Sequence, residues 1–408
     1  MHRLKYLSSF LIVSFLAACG EPSAPEPRDP ARSFTVQESR LADASVGFGL
    51  RLYRQVAASE SKPNVMVSPL SASMALGMTM NGAEGETLDA MRTTLGYGEL
   101  GEAEINEAYK GLIAQLLARD HKVTFAIANS IWHERTFAVK APFLDAARTW
   151  FDAEVAALDF SSASAPQTIS AWAERQTNGR IKDLVKEISR DEIMLLVNAV
   201  YFKAPWTSQF DPKSTRNGAF RRADGSTVSA PLMNRDGNFR SVLNQEVMAV
   251  ELFYGDSAFS MIVVAPANGA SLASLEAKLT TDWWNGVAAS MRPGRIVLTL
   301  PKFRMSYGKT LSDPLKQLGM GIAFDDVRAD FDRIADRDDL YISRVEQKTF
   351  IDVNESGTEA AAATTVGIGL TSLPPSLVFD RPFIFAIRER ESGALLFIGR
   401  LGDPTAAD

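Results

Sequence analysis

Asn354-Glu355-Ser356-Gly357-Thr358-Glu359-Ala360-Ala361-Ala362-Ala363-Thr364 joins a strand-like run to a loop of small side chains just short of the C-terminus. Strands favour branched and aromatic residues, so the alanines from Ala360 to Ala363 do not read as an ordinary sheet strand. They read as a segment built to move. Side chains on an extended segment alternate between two faces. Thr358, Ala360, Ala362, Thr364, Val366 and Ile368 form one row, all small or aliphatic and able to enter a core. Glu359, Ala361, Ala363, Thr365, Gly367 and Gly369 form the other, suited to solvent. The segment is therefore compatible with exposure and with insertion into a sheet, whereas a charge at position 358 would be buried unpaired on entry. Gly367 and Gly369 weaken strand propensity towards the far end.

A chain of 408 residues with 46% hydrophobic and 23% charged residues can bury a sizeable core. The net charge of −6 and the lack of a dense basic run argue against nucleic acid as a partner. A polyanion site of the heparin type would need a basic stripe, and Asn106 to Lys122 offers only Lys110, Arg119 and Lys122 among acidic neighbours.

At the N-terminus, Arg3 and Lys5 precede the apolar run Phe10 to Leu16, which ends in Leu16-Ala17-Ala18-Cys19. Residues 1–18 read as a cleaved secretory signal. The tetrapeptide resembles a bacterial lipobox, which implies that Cys19, the single cysteine, becomes the lipidated N-terminus and tethers the protein to a membrane. A plain signal peptide cleaved near a cysteine is the alternative. Gly20 after the cysteine resembles the pattern of outer-membrane lipoproteins, facing the periplasm or the cell surface. Residues 19–33, with prolines at 22, 25, 27 and 30, form a semi-extended tether, and 34–408 form one domain.

Within that domain, Val36 to Ala58 has helical spacing, and Ser68-Pro69-Leu70-Ser71 opens a second helix with proline in its first turn, where a missing N–H costs little. Val123 to Trp132, Met194 to Phe202, Ala258 to Ala265 and Arg295 to Leu300 read as strands. Leu377 to Ile387 and Ala394 to Leu401 read as a hairpin around Glu389 to Gly393. Strands and helices interleave without strict alternation, which favours α+β.

The alanine-rich run resembles the hinge of the reactive loop in serpins, inhibitors that trap a protease by inserting their own cleaved loop into a sheet. Phe379-Asp380-Arg381-Pro382-Phe383-Ile384-Phe385 is similar to that family's C-terminal signature. Asn64 to Ser71, Ala126 to Trp132, and Val197 to Lys203 with Trp206 resemble further family segments, so the resemblance covers nearly the whole domain. It implies three β-sheets, about nine helices and a reactive loop over about 356–375, in a monomer that needs no metal or cofactor and is not an enzyme.

The resemblance also implies residue roles. Glu355, Gly357, Thr358, Glu359, Ala360, Ala361, Ala362, Ala363 and Thr364 form the hinge, with Lys302 as the ion-pair partner of Glu355 and Trp206 where the loop enters the sheet. Ser68, Ser71 and Asn198 match a polar cluster beneath the opening sheet, and Gln347 stands where a histidine is common; its amide donates and accepts but does not titrate. The family's loop length puts the scissile bond between Thr371 and Ser372, with Leu370-Thr371 as the alternative. Thr371 suggests an elastase-like serine protease as partner, and Leu370 a subtilisin- or chymotrypsin-like one. A non-inhibitory, binding or chaperone-like member of the family is the rival reading.

Enzyme motifs are weak. His133-Glu134 lacks a second histidine four positions on, no Gly-x-Ser-x-Gly elbow appears, and Ser306 and Lys309 form a Ser-x-x-Lys spacing that is common by chance.

Overall fold

The computed structural model describes residues 31–189, 192–267, 269–337, 339–358 and 374–406. The helices among them are α1 (Val36–Ser59), α2 (Pro69–Met80), α3 (Gly85–Leu95), α4 (Glu102–Ala118), α5 (Ala141–Phe151), α6 (Ala165–Gln176), α7 (Leu272–Ala277), α8 (Thr281–Ser290) and α9 (Ser312–Leu315). The strands are β1 (Val65–Val67), β2 (Thr124–Glu134), β3 (Glu154–Leu158), β4 (Met194–Pro205), β5 (Arg216–Arg221), β6 (Thr227–Leu243), β7 (Val247–Tyr254) and β8 (Phe259–Pro266). They continue with β9 (Arg292–Pro301), β10 (Phe303–Thr310), β11 (Glu346–Asn354), β12 (Gly357–Thr358), β13 (Ser376–Val378), β14 (Phe383–Glu389) and β15 (Leu395–Leu401). The architecture is α+β.

Two hydrogen-bonded networks organise these strands. A six-stranded sheet runs β10-β11-β12-β4-β2-β3, and a nine-stranded one runs β1-β15-β14-β8-β7-β6-β9-β13 with β5 also on β6. The long strand β6 explains why three expected sheets form two networks. Its first part pairs with β5, its middle with β9 and its last residues with β7, so one sheet runs into the next without a break.

Helix α2 lies between the networks, packing on both β4 and β15. Its sequence Pro-Leu-Ser-Ala-Ser-Met-Ala-Leu-Gly-Met-Thr-Met is apolar or small on every side, as a helix buried all round must be. Helix α1 packs against α2, and its first turn is closed by a capping box between Thr35 and Glu38. Helix α6 covers β2 and β4 through a separate small core in which Trp132 meets Trp172 edge-on.

One strand assignment is corrected. The run Leu377 to Ile387 is not continuous: β13 lies parallel to β9, and the chain leaves the ladder before β14 begins. The break falls at Pro382, which has no N–H to give to a neighbour.

Candidate functional site

At Asn354 the chain turns back on itself. Asn354 pairs with Gly357 and Val353 with Thr358, so Glu355 and Ser356 are the two central residues of a tight hairpin. The Asn354 side-chain oxygen accepts the Ser356 N–H at 3.0 Å and helps close the turn. On its other edge the short strand β12 pairs Gly357 with Pro205 and Thr358 with Ala204. The first two residues of the inserting segment therefore already stand as rungs between β11 and β4. Gly357 has a φ of 145°, and a Cβ there would lie 2.2 Å from the Ala204 carbonyl oxygen, so only glycine fits this entry point.

Thr358 is 1% exposed, and its hydroxyl lies 2.8 Å from that of Tyr254. The Tyr254 ring stacks on Trp206 with centroids 4.3 Å apart, and the Trp206 indole N–H donates to the Asn354 carbonyl at 2.9 Å. Burial pushes the Tyr254 phenol up, so it stays protonated and able to donate. The Trp206 amide adds a bond to the Ser356 carbonyl and the Phe210 amide one to the Glu355 carbonyl.

Glu355 sits beside this stack, 2.9 Å from the Lys302 ammonium, and also accepts from the Thr215 hydroxyl at 2.7 Å. Burial pushes its carboxyl up, but the bonds from Lys302 and Thr215 outweigh that and hold it below the usual range.

Further along, the N-terminus of α2 straddles β4 and β11. Gln347 of β11 grips the Ser68 backbone at two points: its carbonyl oxygen accepts the Ser68 N–H at 2.8 Å and its amide donates to the Ser68 carbonyl at 3.0 Å. On the β4 side the Ser71 hydroxyl donates to Asn198, whose amide donates to Asn129 at 2.5 Å. Asn129 in turn donates to the Phe151 carbonyl at 2.9 Å. Ser68 does not cap its helix with its side chain; the hydroxyl donates instead to the Leu396 carbonyl at 2.6 Å.

Among the described residues β4 and β11 share no direct register; only Gly357 and Thr358 bridge them. A cavity of about 30 Å³ over Ser71 and Asn198 lies between β4 and β11, and one of about 300 Å³ lies at the start of β4 beside Glu192 and Arg344. Geometrically the site is a slot with one end begun by the hinge and its middle pinned by α2.

The structure thus brings Glu355, Gly357, Thr358, Lys302 and Trp206 together, and Ser68, Ser71, Asn198 and Gln347 together. Glu359, Ala360, Ala361, Ala362, Ala363 and Thr364, both candidate scissile bonds at Leu370, Thr371 and Ser372, and Cys19 lie outside the described residues. Sequence reasoning missed Tyr254, Thr215 and Asn129. Asn129 carried a signal, being polar within the apolar run Ala126 to Trp132. Tyr254 and Thr215 carried none, because their roles depend on which strand ends meet. Ser306 and Lys309 are three apart on β10 and so point to opposite faces, and Lys309 pairs with Glu60 at 3.2 Å. Of the sparse basic residues near α4, Arg119 stacks on Phe34 and pairs with Glu391, and Lys122 pairs with Asp256.

The family model described as "Serpin (serine protease inhibitor)" matches residues 43–404. An uncharacterized serpin-like protein of Thermococcus kodakarensis is 32% identical over 430 residues, covering 99% of each chain. Neuroserpin of Gallus gallus is 32% identical over 392 residues, covering 92% of this chain and 94% of its own. Among solved structures, human thyroxine-binding globulin complexed with thyroxine superposes with a TM-score of 0.84 at 28% identity, covering 91% of this chain and 100% of that one. The thermophilic serpin tengpin in its native state gives 0.83 at 29% identity, covering 92% and 98%.

Proposed function

The chain belongs to the serpin family, and from that premise we propose that it is an irreversible suicide-substrate inhibitor of serine proteases. One observation carries the reading: the hinge enters the sheet between β11 and β4 at Gly357 and Thr358, ahead of a run in which each second residue is small or aliphatic. The protease serine attacks the carbonyl of Thr371, or of Leu370 in the alternative frame. The ester forms, the peptide bond breaks, and the amine of the following residue leaves with the hydroxyl proton. Cleavage then frees the segment to lengthen β12. About 14 residues at roughly 3.3 Å each would carry the attached protease some 45 Å, about one protein diameter. Each added rung supplies backbone hydrogen bonds, so the uncleaved state is held by a kinetic barrier. If insertion outruns deacylation the protease stays trapped as an ester.

The loop offers no arginine or lysine between Gly357 and Pro375, which supports an elastase-, subtilisin- or chymotrypsin-like target over a trypsin-like one. The test mixes the protein with elastase and with subtilisin and examines the products by denaturing gel and intact mass. A detergent-resistant adduct with a released peptide starting at Ser372 is expected. Loop cleavage without adduct would leave a substrate-like or binding member, a second reading favoured by the likeness to a thyroxine-binding globulin.

The sequence Leu16-Ala17-Ala18-Cys19 supports a lipid anchor on an outer-membrane protein that guards the cell envelope. Cys19→Ala is expected to release the protein from membranes, and persistent membrane association would overturn this.

A further inference from the structure

Between α4 and β2, Asp120 is a buried carboxylate, 5% exposed, in the run Arg119-Asp120-His121-Lys122. The cations on either side of it are engaged elsewhere: Arg119 pairs with Glu391 and stacks on Phe34, and Lys122 pairs with Asp256. The carboxylate accepts two backbone N–H groups instead. Its Oδ1 takes that of Lys122 at 2.9 Å, within its own turn, and its Oδ2 takes that of Asp256 at 2.6 Å, in the turn between β7 and β8. Bonds of this kind to an ionised oxygen are short and strong, and they make a buried carboxylate tolerable.

The β7–β8 turn is shaped around that carboxylate. Gly255 has a φ of 50°, and a Cβ there would lie 2.5 Å from Oδ2 and 2.7 Å from Oδ1 of Asp120, an approach that only glycine permits. The same glycine holds the end of β4. Its N–H donates to the Pro205 carbonyl at 2.9 Å, and its carbonyl accepts the Thr207 hydroxyl at 2.9 Å. Pro205 is the rung that receives Gly357, and Tyr254, the residue before Gly255, meets Thr358. Two contacts of the entering hinge therefore depend on a turn that rests on Asp120.

We propose that Asp120 is a positioning residue for the hinge: its carboxylate sets the level of the Gly255-Asp256 turn, and through it the places of Pro205 and of the Tyr254 hydroxyl. A neutral side chain would close the turn after α4 at a lower cost of burial, but only a carboxylate offers one oxygen to each of the two N–H groups. The role concerns the hinge of the uncleaved protein; its bearing on trapping rests on the insertion reading proposed above.

The test is hydrogen exchange of the protein, read at the Thr358 amide and over β14 and β15. Asp120→Asn keeps the side-chain volume and loses one acceptor, so exchange at Thr358 is expected to rise roughly fivefold while that of β14 and β15 stays as it was. Asp120→Ala is expected to do at least as much, and the asparagine variant carries the reading if the alanine variant does not fold. Combined with Tyr254→Phe, the double variant is expected to fall short of the product of the two single effects, because both substitutions remove the same Tyr254–Thr358 contact. Unchanged exchange at Thr358, an equal rise in β14 and β15, or effects that multiply would each overturn the assignment. The ratio of cleaved loop to protease adduct is expected to rise with the exchange, and raised exchange with an unchanged ratio overturns the bearing on trapping. Exchange reads the hinge whether or not a protease is trapped, so failure of this assignment and failure of the inhibitory reading are told apart.

Discussion

The hydroxyl of Tyr254 lies 2.8 Å from that of Thr358, a bond made in the interior between the end of β7 and the first inserted side chain of the hinge. Tyr254→Phe leaves the Thr358 hydroxyl buried without this partner. The expected cost is about 1 kcal/mol, which opens the hinge roughly fivefold more often. Hydrogen exchange at the Thr358 amide measures it, and unchanged protection would mean that the pair holds nothing.

Gly357→Ala tests whether the entry point tolerates a side chain. The added carbon would meet the Ala204 oxygen at 2.2 Å, and the backbone conformation there is one that alanine avoids. A loss of about 1–3 kcal/mol is expected, taken up by expulsion of Gly357 and Thr358 from between β11 and β4. Amide protection over 353–358 should fall while that of the β14–β15 core stays as it was. Equal protection of 353–358 in Gly357→Ala and wild type would show that the two-rung strand does not form in solution.

Thr358→Arg places a charge where the wild-type side chain is 1% exposed. Protease cleavage of the loop is expected to continue and the covalent adduct to disappear, because insertion would bury an unpaired guanidinium. Undiminished adduct on a denaturing gel would sink the insertion mechanism.

Lys302 and Glu355 make a pH-dependent contribution whose sign is fixed by the lowered carboxyl pKa. The folded value lies below the ordinary 4.5, so the stabilisation is complete above that pH and is lost as pH falls through the folded value. Lys302 is 38% exposed, so Lys302→Ala should cost only about 1 kcal/mol near neutrality. The gap in melting temperature between wild type and variant should narrow as the pH falls through the lowered carboxyl pKa. A gap constant from neutral to acid would assign the loss to packing of the lysine stem instead.

Gln347→Ala removes the acceptor of the Ser68 N–H; the Ser68 carbonyl still accepts from Ala72. One buried donor is left unpaired, at about 1–3 kcal/mol. The melting temperature should fall, and loss of activity on storage should quicken, since the α2 end no longer holds β11. Unaltered melting would show that the two-point grip is dispensable.

The fold was legible because its punctuation is local. Pro69 in a helix's first turn, the apolar run at Met194, and the final hairpin each follow from residues within one element. The ion pair and the polar cluster could be anticipated only through resemblance, since Lys302 and Glu355, or Ser68 and Gln347, are brought together by the sheet. What escaped is what depends on three-dimensional meeting points. Nothing in Leu252-Phe253-Tyr254-Gly255 says that this tyrosine caps an inserting threonine, and nothing in the hinge says that a two-residue turn has already folded it back. The strand break before Phe383 was missed because hydrophobic pattern outweighed Pro382, although proline's missing donor was a sufficient local warning.

The stack of Trp206 on Tyr254 gives the hinge an optical voice. The indole sits flat on the ring that touches Thr358 and donates to the carbonyl of Asn354, so its surroundings change whenever those first two rungs leave the sheet. In a variant retaining Trp206 as its single tryptophan, emission colour would serve as a label-free gauge of how often the uncleaved hinge leaves the sheet.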